Sequence, residues 1–240
     1  MIALDHIAIW SDNLYRTTIE LSRLTGIGSA DGGYFPGLGL GQKIISLGGG
    51  VYLEIESIVD HRKIVDRDPV AVAVERQTAA GHCFAGLCFR SDDLAEIEAF
   101  AAHRGVSVSS EIAGGKALMV PGQKRGKAAH APDFLNSWLL GKPNIYLVDD
   151  LAHHSSVLAV QPGTGDVIGL GVTSLELGGT EESFREWFGD LDPREPGVDI
   201  RFNGLADGLY AVGFDSTAGP QEIRMSPVTL PALASSTPQQ

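Results

Sequence analysis

LDHIAIWSDNL, residues 4–14, is the stretch whose reading decides the fold. Ile7 and Ile9 alternate with His6, Ala8 and Trp10, so a strand here puts the isoleucines on one face and the histidine, alanine and tryptophan on the other. Ser11, Asp12 and Asn13 then offer side-chain oxygens to cap a helix that starts at Leu14. That helix carries Leu14, Thr18, Leu21 and Leu24 as its apolar stripe and stops at Thr25-Gly26. The same design returns in FAGLCFRSDDL, residues 84–94, where Leu87, Phe89, Ser91 and Asp92 stand for Ile7, Ile9, Ser11 and Asp12. The helix that follows has Leu94, Ile97, Phe100 and Ala101 on one face. A fainter third copy, VTSLELGGTEESFREWF at 172–188, sets Leu175 and Leu177 in the isoleucine positions and Phe184, Trp187 and Phe188 on the helix.

Short strand-like runs separated by glycine follow these pairs. After the first come GGYFPGL, QKIISLGGG and VYLEIESIV, with Gly48-Gly49-Gly50 as a tight hairpin connection; after the third come VDIRFNG, GLYAVGFD and PQEIRMS. The unit is one strand, one helix and about three strands, and repeated units of this kind pair into a curved sheet with helices outside. The expected fold is therefore α+β, with βαβββ modules at 1–60 and 82–150, a βαβββ-like third at 166–226, and a tail at 227–240 whose lack of periodicity predicts disorder.

The chain of 240 residues, 43% of them hydrophobic, can bury a core, and its net charge of −12 argues against a nucleic-acid partner. The basic cluster Lys124, Arg125 and Lys127 in GQKRGK reads as a solvated loop, with a small anion clamp as the alternative. No apolar run approaches the roughly 20 residues of a membrane span, and MIALDHIAI lacks the basic start of a signal peptide. A cytoplasmic protein is expected. Cys83 and Cys88, an odd distance apart on one strand, are expected on opposite faces as small core residues. GLGLG at 37–41 lacks the strand–turn–helix context of a dinucleotide site, and no Walker A, GxSxG or HExxH motif occurs.

VYLEIESI, residues 51–58, places Val51, Leu53 and Ile55 on one face and Tyr52, Glu54 and Glu56 on the other. His6 has the same relation to Ile7 and Ile9, so His6 and Glu54 converge if the strands curl around one hollow. An imidazole and a carboxylate from neighbouring strands suit Zn, Fe, Mn or Ni; a solvent-facing sheet explains the pair equally well. Trp10 and Tyr52 share this face and either line the hollow or pack as core. His130 in AAHAPDF is a pocket or a turn residue, while His61, His82, His103, His153 and His154 read as edge, linker or surface.

LDHIAIWSDNL together with VYLEIES resembles the opening module of the vicinal oxygen chelate superfamily, which contains glyoxalases, extradiol dioxygenases, epimerases and antibiotic-sequestering proteins. GGKALMVPGQKRGKAAHAPDFLNSWLL with GKPNIYLVDD is similar to the second module of its glyoxalase-like-domain branch, and QPGTGDVIGLGVTSLEL to the start of that branch's C-terminal segment. The resemblance implies paired modules forming a U-shaped sheet around a small-molecule cavity, with metal ligands from the first and last strands of each module. Carried over by position, the first module supplies His6 and Glu54. The position matching His6 is Gly86 in the second module and Ser174 in the third, and Val148 stands opposite Glu54 with Asp149 one residue on. Two readings of this gap stay open. A one-residue shift or a loop brings Asp149, His130 or His82 into a metal site, or the metal is absent and His6 and Glu54 do proton chemistry or bind polar substrate atoms.

The resemblance thus implies a glyoxalase-like enzyme, of lyase, isomerase or oxygenase type, acting on a small oxygenated metabolite. A divalent metal (Zn, Fe, Mn or Ni) is expected at His6, Glu54 and Asp149, with Glu56 moving a proton and Trp10, Tyr52 and His130 contacting substrate. The alternative is a metal-free small-molecule-binding or sequestering protein of the same fold. Repeated modules also permit a homodimer.

Overall fold

The computed structural model describes residues 2–36, 39–66, 69–104, 108–109, 128–129, 144–147, 166–188 and 197–227. The first module is β1 (Ala3–Trp10), α1 (Leu14–Thr25), β2 (Ala30–Phe35), β3 (Leu40–Gly48) and β4 (Val51–Ile58). Two short helices, α2 (Arg62–Val65) and α3 (Pro69–Gln77), lead to the second module: β5 (Cys83–Ser91), α4 (Leu94–Arg104), β6 (Val108–Ser109), β7 (Ala128–Ala129) and β8 (Asn144–Leu147). The last unit is β9 (Gly169–Leu177), α5 (Glu181–Phe188), β10 (Asp199–Phe202), β11 (Leu209–Ser216) and β12 (Gly219–Arg224). The GQKRGK cluster, His153, His154 and the tail beyond residue 227 lie outside the described residues.

The first two modules make one eight-stranded sheet in the order β2-β3-β4-β1-β5-β8-β7-β6. Each half repeats one pattern: the first strand pairs in parallel with the last of its module, β1 with β4 and β5 with β8. An antiparallel β1–β5 ladder joins the halves at the centre. The third unit has the same element order but a different pairing. Its sheet runs β10-β9-β11-β12, with β9 parallel to β10 and antiparallel to β11.

Local chemistry sets the helix ends. The Asn13 side chain accepts from the Arg16 backbone N–H at 3.0 Å, and α1 ends at Gly26 with φ 72°, a left-handed value that glycine adopts without a Cβ penalty. The buried residues of α1 are Leu14, Thr17, Thr18, Leu21 and Thr25. Leu24, expected on the stripe, is exposed; Thr25, four residues beyond Leu21, takes the buried place, which follows from the 3.6-residue period.

Two bulges correct simple alternation along the seam. Leu4 pairs with Phe89 and His6 with Cys88, so Asp5 is an extra residue in β1. Ala8 pairs with Gly86 and Ile9 with Phe84, so Ala85 is an extra residue in β5. This second bulge overturns the expectation that Cys83 and Cys88 face opposite ways. Both are buried free thiols in one cluster on the face of Trp10, which pairs with Cys83.

The two sheet faces bury different cores. On the outer face Leu4, Ile7, Ile9, Leu53, Ile55, Leu87 and Phe89 join Leu14 and Leu21 of α1, Ile97 and Phe100 of α4, and Leu175, Trp187, Phe188, Leu209, Val212 and Phe214 of the third unit. The third unit therefore packs against the side of the large sheet opposite His6. On the inner face, Ala8, Trp10, Cys83, Ala85 and Cys88 pack with Ala71, Ala73 and Val74 of α3. One helix thus covers the inner side, which the expectation of helices outside did not include. Its alanines and valine allow close approach to the strands.

Candidate active site

The inner face around His6 follows from register. Because β1 and β4 pair in parallel, Tyr52 lies beside His6, Glu54 beside Ala8 and Glu56 beside Trp10. On the far side of β4, β3 sets Gln42 against Glu56 and Ile44 against Glu54. Across the seam Cys88 faces His6. Alternate residues of four adjacent strands thereby place an imidazole, two carboxyl groups, a carboxamide, a phenol, an indole and a thiol on one face.

These groups bond into one buried chain. Asp5 Oδ1 lies 2.6 Å from His6 Nδ1, and Glu54 Oε2 lies 3.1 Å from His6 Nε2. The Gln42 side-chain nitrogen donates to Glu54 Oε1 at 2.8 Å and to Glu56 Oε1 at 3.0 Å. The Trp10 indole N–H completes the chain by donating to Glu56 Oε2 at 3.1 Å. The Tyr52 ring stacks on His6 with centroids 5.0 Å apart. His6 is 5% exposed, Glu54 8% and Glu56 7%, which rejects the solvent-facing sheet as an explanation of the pair. Trp10 and Tyr52 are each 1% exposed, and their side chains support Glu56 and His6 from within the fold.

Burial shapes the protonation of the cluster. It opposes a charge on His6, but Cys88, Tyr52 and Glu54 around the ring and the hydrogen bond to Asp5 outweigh it and raise the imidazole pKa well above the ordinary value. Burial itself holds the Cys88 thiol up at about 11 and the Tyr52 phenol well above its usual value, so near neutrality the carboxylates are what favour the imidazolium. Burial, then the neighbouring Glu54 charge, pushes Glu56 up to about 7 against the hydrogen bonds from Gln42 and Trp10. A carboxyl group with a pKa near neutrality can both accept and return a proton.

The donors fit part of a metal site. A separation of 3.1 Å between His6 Nε2 and Glu54 Oε2 suits two neighbouring ligands of one ion bound at about 2.1 Å. Asp5 on Nδ1 is the outer carboxylate that commonly orients a ligating histidine. Among the described residues no group of three or more His, Cys, Asp or Glu side chains is arranged to hold an ion. Asp149, Val148 and His130 lie outside the described residues. Gly86, which carries no donor, lies beside Ala8, and His82 is drawn toward Glu20 at 3.8 Å.

Simple alternation missed Asp5, Gln42, Cys88 and Arg90. Asp5 reaches His6 from a bulge that no periodicity shows. Gln42 was legible, since it shares a strand face with Leu40 and Ile44 and alternates with Gly41 and Lys43. Arg90 is a cation that follows directly on the apolar run FAGLCF in the same strand, and such a residue needs buried partners.

A model of the family described as "Glyoxalase-like domain" matches residues 4–131. No curated protein matches the chain. Among solved structures, the chain is similar to a hypothetical protein from Staphylococcus aureus at 14% identity, with 86% of this chain and 88% of that one covered and a TM-score of 0.56. It is also similar to methylmalonyl-CoA epimerase from Mycobacterium tuberculosis at 16% identity, with 60% and 86% covered and a TM-score of 0.42. No described helix is long and apolar enough to cross a membrane.

Proposed function

Since the chain belongs to the glyoxalase-like domain family, we propose that it is an enzyme that moves a proton next to a carbonyl group of a small oxygenated metabolite, as a lyase or isomerase does. The observation that carries this reading is the buried chain from His6 through Glu54 and Gln42 to Glu56. Glu56, with its pKa near 7, takes the proton from the carbon and returns it to the same or the neighbouring atom. His6 faces the oxygen on which negative charge develops, while Glu54 beside it favours the charged imidazole. They are also the residues that would hold a divalent metal, which when bound supplies Lewis-acid stabilisation of that oxygen. The raised pKa of His6 means that metal uptake displaces a proton and strengthens as pH rises.

A panel of small 2-oxo acids, hydroxyketones and acyl thioesters incubated in heavy water tests the reading by exchange of carbon-bound hydrogen. The expected result is exchange with the wild-type chain that falls by about 10²–10⁴-fold in E56Q. Equal exchange by both proteins rejects Glu56 as the base. The second reading, a metal-free sequestering protein, is favoured by Gly86, which lacks a donor where the resemblance expects one. Elemental analysis of protein purified without chelator, followed by calorimetry with divalent ions, separates the two.

A further inference from the structure

An imidazole can present either ring nitrogen to a ligand, so something must fix which one faces Glu54. The group on the other nitrogen is Asp5, whose bulged position lets Oδ1 reach Nδ1 at 2.6 Å while His6 points along the inner face. Asp5 Oδ2 lies 3.7 Å from Nη1 of Arg90, and both side chains are buried. Arg90 comes from β5, in the second module. Its Nη1 donates to the carbonyls of Leu4 and, at 3.0 Å, Gly50, and its Nη2 donates to that of Gly49 at 3.3 Å. Leu4 precedes the bulged Asp5 that leads into His6, and Gly49 and Gly50 form the turn that leads into β4 and Glu54. One guanidinium therefore ties together the backbones that deliver both candidate functional groups.

We propose that Asp5 and Arg90 are positioning residues for His6. Asp5 accepts the Nδ1 hydrogen bond, so Nε2 is the nitrogen presented to Glu54 and to a ligand. Arg90 balances Asp5 and clamps the bulge to the turn. The inference rests on the reading of His6 as a functional residue, and it makes the first module's site depend on a side chain from the second. Lysine, a point charge without the guanidinium fork, cannot make the same set of bonds.

The test uses ¹⁵N-labelled full-length protein at one fixed pH, with the His6 ring signals assigned by their loss in H6Q. The wild type is expected to show a downfield, slowly exchanging Nδ1–H. In the isosteric D5N this signal moves upfield as a charge-assisted bond becomes a neutral one. R90M is expected to shift it the same way or speed its exchange, with partial rescue in R90K. An unchanged Nδ1–H in D5N overturns the proposal, and D5N decides alone should R90M fail to fold. Titration with Co²⁺, followed by visible absorption, is expected to show binding about 10–100-fold weaker in D5N than in wild type. Equal Co²⁺ affinity overturns the proposal. A wild type that keeps the Nδ1–H response but binds no Co²⁺ leaves the positioning role standing and rejects the metal part of the proposed function.

Discussion

Glu56 is the odd charge in the buried cluster. Asp5 and Glu54 flank His6, and Arg90 stands beside Asp5, so among the described residues two acids meet two bases and Glu56 is left over. Its pKa of about 7 lies above the ordinary carboxyl value of 4.5, so the folded chain holds this proton more tightly than the unfolded chain does. Stability from this group therefore falls as pH rises from about 4.5 to 7, by an amount on the order of 3 kcal/mol. His6 adds to the trend: its raised pKa contributes stability that is full below the unfolded histidine value and is lost as pH climbs through the folded one. Urea midpoints measured from pH 5 to 9 should decline for the wild type, and E56Q should flatten the portion below neutrality and be the more stable protein at pH 8. An E56Q curve parallel to the wild type would rule out this assignment. At this scale the sequence was legible where alternation held, which is why His6, Glu54 and Glu56 fell on one face. Asp5 was hidden because a bulge obeys no period.

The β3–β4 hairpin shows how an element is fixed by one contact. Gly48 has φ 87°, and a Cβ built there would come 2.4 Å from the Gly169 carbonyl oxygen of β9. G48A therefore meets both a left-handed backbone and the main chain of the third unit. Gly81, with φ 122° and nothing within 4 Å of a built Cβ, shares the first penalty without the second. G48A should lower the unfolding free energy clearly more than G81A, by about 1–3 kcal/mol, the range of overpacking. Equal losses would mean that β9 moves away freely. The turn was readable from three consecutive glycines; the partner that makes Gly48 obligatory lies more than a hundred residues away, and local pattern cannot reach that far.

At the scale of the molecule, the third unit repeats the order of elements but not their pairing, because hydrophobic periodicity specifies strands and helices and leaves the choice of neighbour to tertiary packing. Phe188 anchors this unit, with its ring 5.3 Å from Phe89 and 5.9 Å from Phe100. F188A should cost about 3–5 kcal/mol and still unfold in one transition, with circular dichroism and tryptophan fluorescence coincident, because both sheets share one outer core. Two separated transitions would show that the third unit folds alone. The seam has its own consequence. β1 and β5 zip the halves together by hydrogen bonds and by side chains buried on both faces, so peptide continuity between α2 and α3 is not what keeps them joined. A protease nick in that connector would leave two fragments assembled.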